Sequence, residues 1–127
     1  MTYQVTYNAE MHVVETQARG NLTLDEARQL ISAIARVCIQ NNCFFCLSDY
    51  RELTLGLSVV DIYDLPRILS DTLVSLGVSA VQIRRAIVVA KDIKNFEFFE
   101  TVTLNSGQNA KLLQDMDEAR KWLLRRK

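Results

Sequence analysis

The stretch Thr23-Leu24-Asp25-Glu26-Ala27-Arg28-Gln29-Leu30-Ile31-Ser32-Ala33-Ile34-Ala35-Arg36-Val37-Cys38-Ile39-Gln40-Asn41-Asn42-Cys43-Phe44-Phe45-Cys46-Leu47 decides the fold. Leu24, Ala27, Leu30, Ile31, Ile34, Ala35 and Cys38 fall on one helical stripe, the kind of face a helix presents to a core. Thr23 and Glu26 have the spacing of a capping box. In that arrangement the threonine hydroxyl accepts from the backbone N–H three residues on, and the glutamate reaches back. Asn41-Asn42 closes the helix, and Cys43-Phe44-Phe45-Cys46-Leu47 follows, apolar on both parities. A strand of that kind is covered on both faces, as central strands of parallel sheets are.

Working outward, residues 2–8 alternate: Tyr3, Val5 and Tyr7 share one parity, Thr2, Gln4 and Thr6 the other. That period of two predicts a half-buried strand. Asn8-Ala9-Glu10 reads as a polar turn, residues 11–19 as a second strand, and Gly20-Asn21 as its end. A connection so short implies an antiparallel hairpin. Residues 58–77 read as a helix with Ser58 and Asp61 as a cap pair and Gly77 as its stop. Residues 84–90, with Ala86-Ile87-Val88-Val89-Ala90, predict another central strand. Residues 95–107 predict a third helix beginning at an Asn95 cap, residues 109–114 a short strand, and Asp115-Met116-Asp117-Glu118 the start of a closing helix. Acids in its first turn and Arg125-Arg126-Lys127 at its end suit the helix dipole. The order β-β-α-β-α-β-α-β-α predicts an α/β fold, one domain built on a single mixed five-stranded sheet, with parallel pairing after the hairpin.

Composition narrows the function classes. The chain has 127 residues, 15 Lys+Arg against 15 Asp+Glu, 49% hydrophobic and 24% charged residues, four Gly and one Pro. This excludes a disordered or low-complexity chain. A net charge of zero argues against nucleic acid as a partner, because that binding needs clustered positive charge. It also leaves little repulsion between copies, so a homodimer is expected. No apolar run approaches the roughly 18 residues of a membrane span, and Met1-Thr2-Tyr3-Gln4-Val5 lacks the features of a signal peptide. Cys38, Cys43 and Cys46 cannot all pair within one chain, so reduced thiols in a cytoplasm are expected.

Conventional catalytic or cofactor chemistry finds little footing. Cys43-Phe44-Phe45-Cys46 has C-x-x-C spacing, but a redox pair wants its first cysteine at a helix N-terminus. Within a strand, residues three apart point to opposite faces. A zinc site needs four ligands, and no second pair stands nearby; buried core cysteines are the reading, and no metal is expected. His12 is the single histidine, with no acid among its strand neighbours and no G-x-S-x-G, P-loop or G-x-G-x-x-G elsewhere. A non-enzymatic protein without a cofactor is therefore expected.

The apolar excess lies in residues 53–77. In the helix, Asp61, Asp64, Arg67, Asp71 and Ser75 form a narrow polar line and nearly everything else is apolar, more than one packing face requires. Pro66 lies in the middle, removing an internal N–H. The helix is expected in two pieces hinged at Pro66, preceded by an apolar loop at 53–57. Such a surplus beside a joint suggests a lid, a ligand groove or a partner surface; a helix buried on both sides by its own domain is the alternative.

Gly20-Asn21-Leu22-Thr23-Leu24-Asp25-Glu26, the strand running to Ser48-Asp49-Tyr50-Arg51, Phe98-Phe99-Glu100-Thr101-Val102 before Asn105-Ser106-Gly107, and the closing Asp117-Glu118-Ala119-Arg120-Lys121-Trp122-Leu123 resemble the SpoIIAA-like family. That family belongs with STAS domains and is related in fold to lipid-binding SEC14/CRAL-TRIO domains. The resemblance implies strands in roughly sequential order, and a non-enzymatic domain that binds apolar or amphipathic small molecules, lipids or membrane surfaces. The expected ligand walls are Leu57, Ile62, Tyr63, Leu65 and Phe98, with hydroxyls from Tyr50 and Tyr63. STAS regulators carry a phosphorylatable serine at the helix start after the third strand. Here that place falls on Ser58, without the preceding Asp and following Gly of the family pattern. A protein-interaction switch controlled at Ser58 is thus the alternative expectation.

Overall fold

Five strands pair in the order β1-β2-β3-β4-β5: β1 (Thr2–Asn8), β2 (Val13–Leu22), β3 (Phe45–Leu55), β4 (Arg84–Val88) and β5 (Asn109–Leu113). The first pair is antiparallel and the others are parallel, so the chain is α/β with one mixed sheet. The helices are α1 (Leu24–Gln40), α2 (Val59–Ser75), α3 (Lys94–Asn105) and α4 (Met116–Leu124), with one 3-10 turn at Ala80–Gln82. This computed structural model describes residues 1–90 and 94–125, without the side chains at 94, 95 and 98.

Local chemistry accounts for α1. Glu26 N–H donates to the Thr23 hydroxyl at 3.4 Å, and Thr23 N–H donates to Glu26 Oε1 at 3.2 Å. Both arms of the capping box are present, and the other Glu26 oxygen lies 3.1 Å from the Met1 ammonium. Ala27, Leu30, Ala35 and Cys38 are buried; the period of the stripe delivers them to the sheet.

The helices divide between the two faces. Side chains from α1, α2 and α3 pack over the face that carries Ala18, Cys46 and Ile87. Ala119 and Leu123 of α4 pack on the opposite face against Leu47, Ala86 and Val88. Arg84 fastens α4 to β4: its guanidinium lies 3.7 Å from the centre of the Trp122 ring and donates to the Trp122 carbonyl at 2.7 Å.

Several expected boundaries are corrected. The second strand does not end at Gly20-Asn21, because Gly20 pairs with Leu53, Asn21 with Thr54 and Leu22 with Leu55. Gly20 tolerates this with φ +99° while Met1 packs closely against it. Residues 11 and 12 belong to the turn, where His12 has φ +56°. The expected apolar loop at 53–57 is largely strand, since Leu53 and Leu55 complete β3. Asn95 lies inside α3, which starts at Lys94.

The largest correction concerns Pro66. Helix α2 is one continuous element through it, not two pieces. Pro66 has no N–H to offer the Ile62 carbonyl. Buried side chains on both sides, Ile62 and Leu65 before it and Ile68, Leu69 and Leu73 after it, hold the turns in place. The Pro66 carbonyl also accepts a 2.8 Å hydrogen bond from Nε2 of Gln108 at the entrance to β5. Pro66 is thus an anchored position within a single helix.

Candidate functional site

A bulge on β3 prepares the site. Between the pairs Gln17–Asp49 and Arg19–Glu52, β2 contributes one residue and β3 contributes two. Strand side chains alternate between faces, and the extra residue resets that alternation. Cys46, Ser48 and Tyr50, and then Leu53 and Leu55, all face the same cavity. Above them, α1 supplies Leu30, Ile31 and Ile34, α2 supplies Leu65 and Leu69, and α3 supplies Phe96 and Phe99. From β4 come Arg85 and Ile87, two residues apart and on one face of the strand.

The cavity has a volume of about 70 Å³. A single water needs about 10–15 Å³, so the space exceeds a packing defect around one water. Its walls are mostly apolar, with a polar group of Arg85, Tyr50 and Ser48 at the sheet.

The electrostatics of that group follow from burial. Arg85 Nη2 donates to Gln108 Oε1 at 3.3 Å, and its guanidinium lies 5.8 Å from the centre of the Phe99 ring. Burial pulls the Arg85 pKa below its ordinary value, against the opposing effects of Tyr50 and Cys46. Burial pushes the Tyr50 phenol up, while the Ser48 hydroxyl and the Arg85 charge pull it down. Cys46 lies with its Sγ 3.5 Å from that of Cys38. This contact, then burial, raises the Cys46 thiol well above its ordinary value. At neutral pH the cavity therefore presents a cation, a neutral phenol, a hydroxyl and a protonated thiol.

The expected ligand residues divide sharply. Tyr50 and Leu65 line the cavity. Leu57 is half-buried and packs at the edge of the core, outside the cavity wall. Ile62 is 0% exposed and lies within the core. Tyr63 is 67% exposed on the outer side of α2, beside Asp64 and Arg67 in a shallow surface groove. Residues 63 and 65 stand about 200° apart around a helix, so they do not wall one cavity together. The Phe98 side chain lies outside the described residues, as do Arg126 and Lys127 of the terminal basic run. Ser58 is exposed and caps α2, its hydroxyl accepting from Asp61 N–H at 3.1 Å.

Ser48 and Arg85 were not among the expected site residues. The available signal was parity: Arg85 shares the face of Ile87 on a short central strand, so a charged group had to enter the interior.

The cysteines differ from expectation in one respect. Cys43 precedes β3 instead of lying within it, so Cys43 and Cys46 do not take opposite faces; both join Cys38 in one buried cluster. Cys43 Sγ donates to the His12 carbonyl at 3.2 Å, and His12 Nδ1 lies 2.6 Å from the Tyr7 hydroxyl. Among the described residues no group of three His, Cys, Asp or Glu side chains is placed to hold a metal ion. Among those same residues no helix is long and apolar enough to cross a membrane.

In comparisons with known proteins, no family model, curated protein or solved structure matches the chain.

Proposed function

We propose that this protein is a small SpoIIAA-like binding or regulatory domain that holds an apolar or amphipathic small molecule between its sheet and helices α1, α2 and α3. The observation that carries this reading is the cavity: apolar walls on three helices, with a few polar groups converging at the sheet. Ligand sites share that pattern, apolar lining with few orienting polar groups. The sequential strand order supports the family reading as well.

Binding is favoured over catalysis by the protonation states in the cavity. A protonated Cys46 is a poor nucleophile, since the thiolate is the reactive form. Tyr50 is held in its neutral form, and Arg85 is no proton acceptor. Three thiols suit a reducing, cytoplasmic setting.

The test is native mass spectrometry of the protein as purified, with organic extraction of the same sample. The expected result is a bound mass of small-molecule size that disappears on extraction and is recovered in the organic phase. A protein that carries no adduct as purified, and acquires none from a cell lipid extract, would contradict the proposal.

A further inference from the structure

Arg85 is a cation set into an apolar wall, with no anion beside it among the described residues. No carboxylate there lies within ion-pairing distance of its guanidinium; the arginines that form ion pairs are Arg19, Arg51, Arg67 and Arg120. The Glu100 carboxylate of α3 accepts from Leu112 N–H instead. A guanidinium carries five N–H donors in a planar fork. Here one hydrogen bond is formed to protein among the described residues, to the neutral amide of Gln108.

That arrangement is expensive for a structural role alone. Even half-buried, a charge without an opposite charge carries a desolvation penalty, and a methionine or leucine would fill an apolar wall without it. The surroundings nevertheless hold the group in position. Phe99 lies against the guanidinium, and Gln108 accepts from Nη2 while its own Nε2 donates to the Pro66 carbonyl of α2. This positioned fork faces the same cavity as the Tyr50 and Ser48 hydroxyls. Planar forks of this kind match carboxylates in bidentate geometry.

From these placements we infer that the cavity selects ligands with an anionic head group: monocarboxylates whose head lies on Arg85 and Tyr50 and whose short apolar body lies among Leu30, Leu65 and Leu69. This rests on the reading of the cavity as a binding site and adds the chemical class of its ligand. At about 70 Å³ the space favours a chain of a few carbons over a long acyl chain.

The experiment is calorimetric titration of the intact protein at neutral pH with butanoate and, separately, with 1-butanol, which keeps the chain and removes the charge. Butanoate is expected to bind at least about tenfold more tightly, the scale of one or two charge-assisted hydrogen bonds. In Arg85→Met the preference is expected to vanish while butanol binding persists. Should that variant fail to fold, Tyr50→Phe, which removes one hydroxyl and no charge, is expected to reduce the preference severalfold. Equal binding of butanoate and butanol to the unaltered protein would overturn the inference and leave the cavity reading standing. Persistence of the preference in a folded Arg85→Met variant would overturn it too. Binding of neither compound would bring down both.

Discussion

Truncating Ile62 to alanine is expected to lower the folding free energy by about 2–5 kcal/mol, the range for removing a large aliphatic side chain from a packed interior. Ile62 is 0% exposed and packs in the cluster that includes Leu22, Leu30, Leu53 and Phe96. It also stands one turn before Pro66, where the helix lacks an internal hydrogen bond and relies on packing to stay continuous. A domain of this size has only about 5–15 kcal/mol in hand, so the loss should move the urea midpoint markedly. Val60, two residues earlier and 69% exposed, provides the contrast: Val60→Ala should change stability by no more than about 0.5 kcal/mol. Urea unfolding of both variants measures this. A loss below about 1 kcal/mol for Ile62→Ala would mean that α2 is not docked through this residue.

Replacing Gln108 by alanine is expected to cost about 2–4 kcal/mol, although no charge and little apolar area are removed. Gln108 is buried and serves two groups at once, accepting from Arg85 Nη2 at 3.3 Å and donating to the Pro66 carbonyl at 2.8 Å. Its loss leaves a half-buried cation and a helix carbonyl each one hydrogen bond short, and a hydrogen bond to a charged group is worth about 1.5–3 kcal/mol. Gln108→Glu should behave differently. It places a carboxylate beside Arg85, recovering part of the stability while supplying the anion that the cavity lacks. Urea unfolding of the pair separates these effects. If Gln108→Ala is as stable as the unaltered protein, water or another group must already serve both partners.

How much of this could be read from the sequence depended on the range of the interaction. The capping box at Thr23–Glu26 and the stripe from Ala27 to Cys38 are local, set by a few residues and the helical repeat, and they stand as expected. The doubly apolar run around Phe45-Cys46-Leu47 indicated a covered strand, and β3 does lie between α4 on one face and α1 and α2 on the other. The ends of β2 and β3 were not legible, because Gly20 and Leu53 extend their strands only by pairing with each other. Pro66 suggested a break on local grounds. The buried residues around it, together with the distant Gln108 amide, keep the helix whole.

The site was legible as an excess of apolar surface but not in its orientation. With apolar residues nearly all round α2, the repeat alone did not say which side faces inward. Leu65 and Leu69 face the cavity, while Val59, Val60 and Tyr63 are 64%, 69% and 67% exposed. The bulge that brings Tyr50 and Leu53 onto one face leaves no mark in the residue types around it. Arg85 is the opposite case: its parity with Ile87 is plain in Arg84-Arg85-Ala86-Ile87-Val88, and a charge at an inward position is itself the signal.

The proposed binding mode places the ligand inside the domain, beneath α2, and not on its exposed outer face. Methyl carbon–proton correlation NMR during titration with butanoate distinguishes the two places. Saturable shifts are expected at the methyls of Leu30, Leu65 and Leu69, with those of Val59 and Val60 unchanged. Shifts confined to the two exposed valines, or none anywhere, would contradict it.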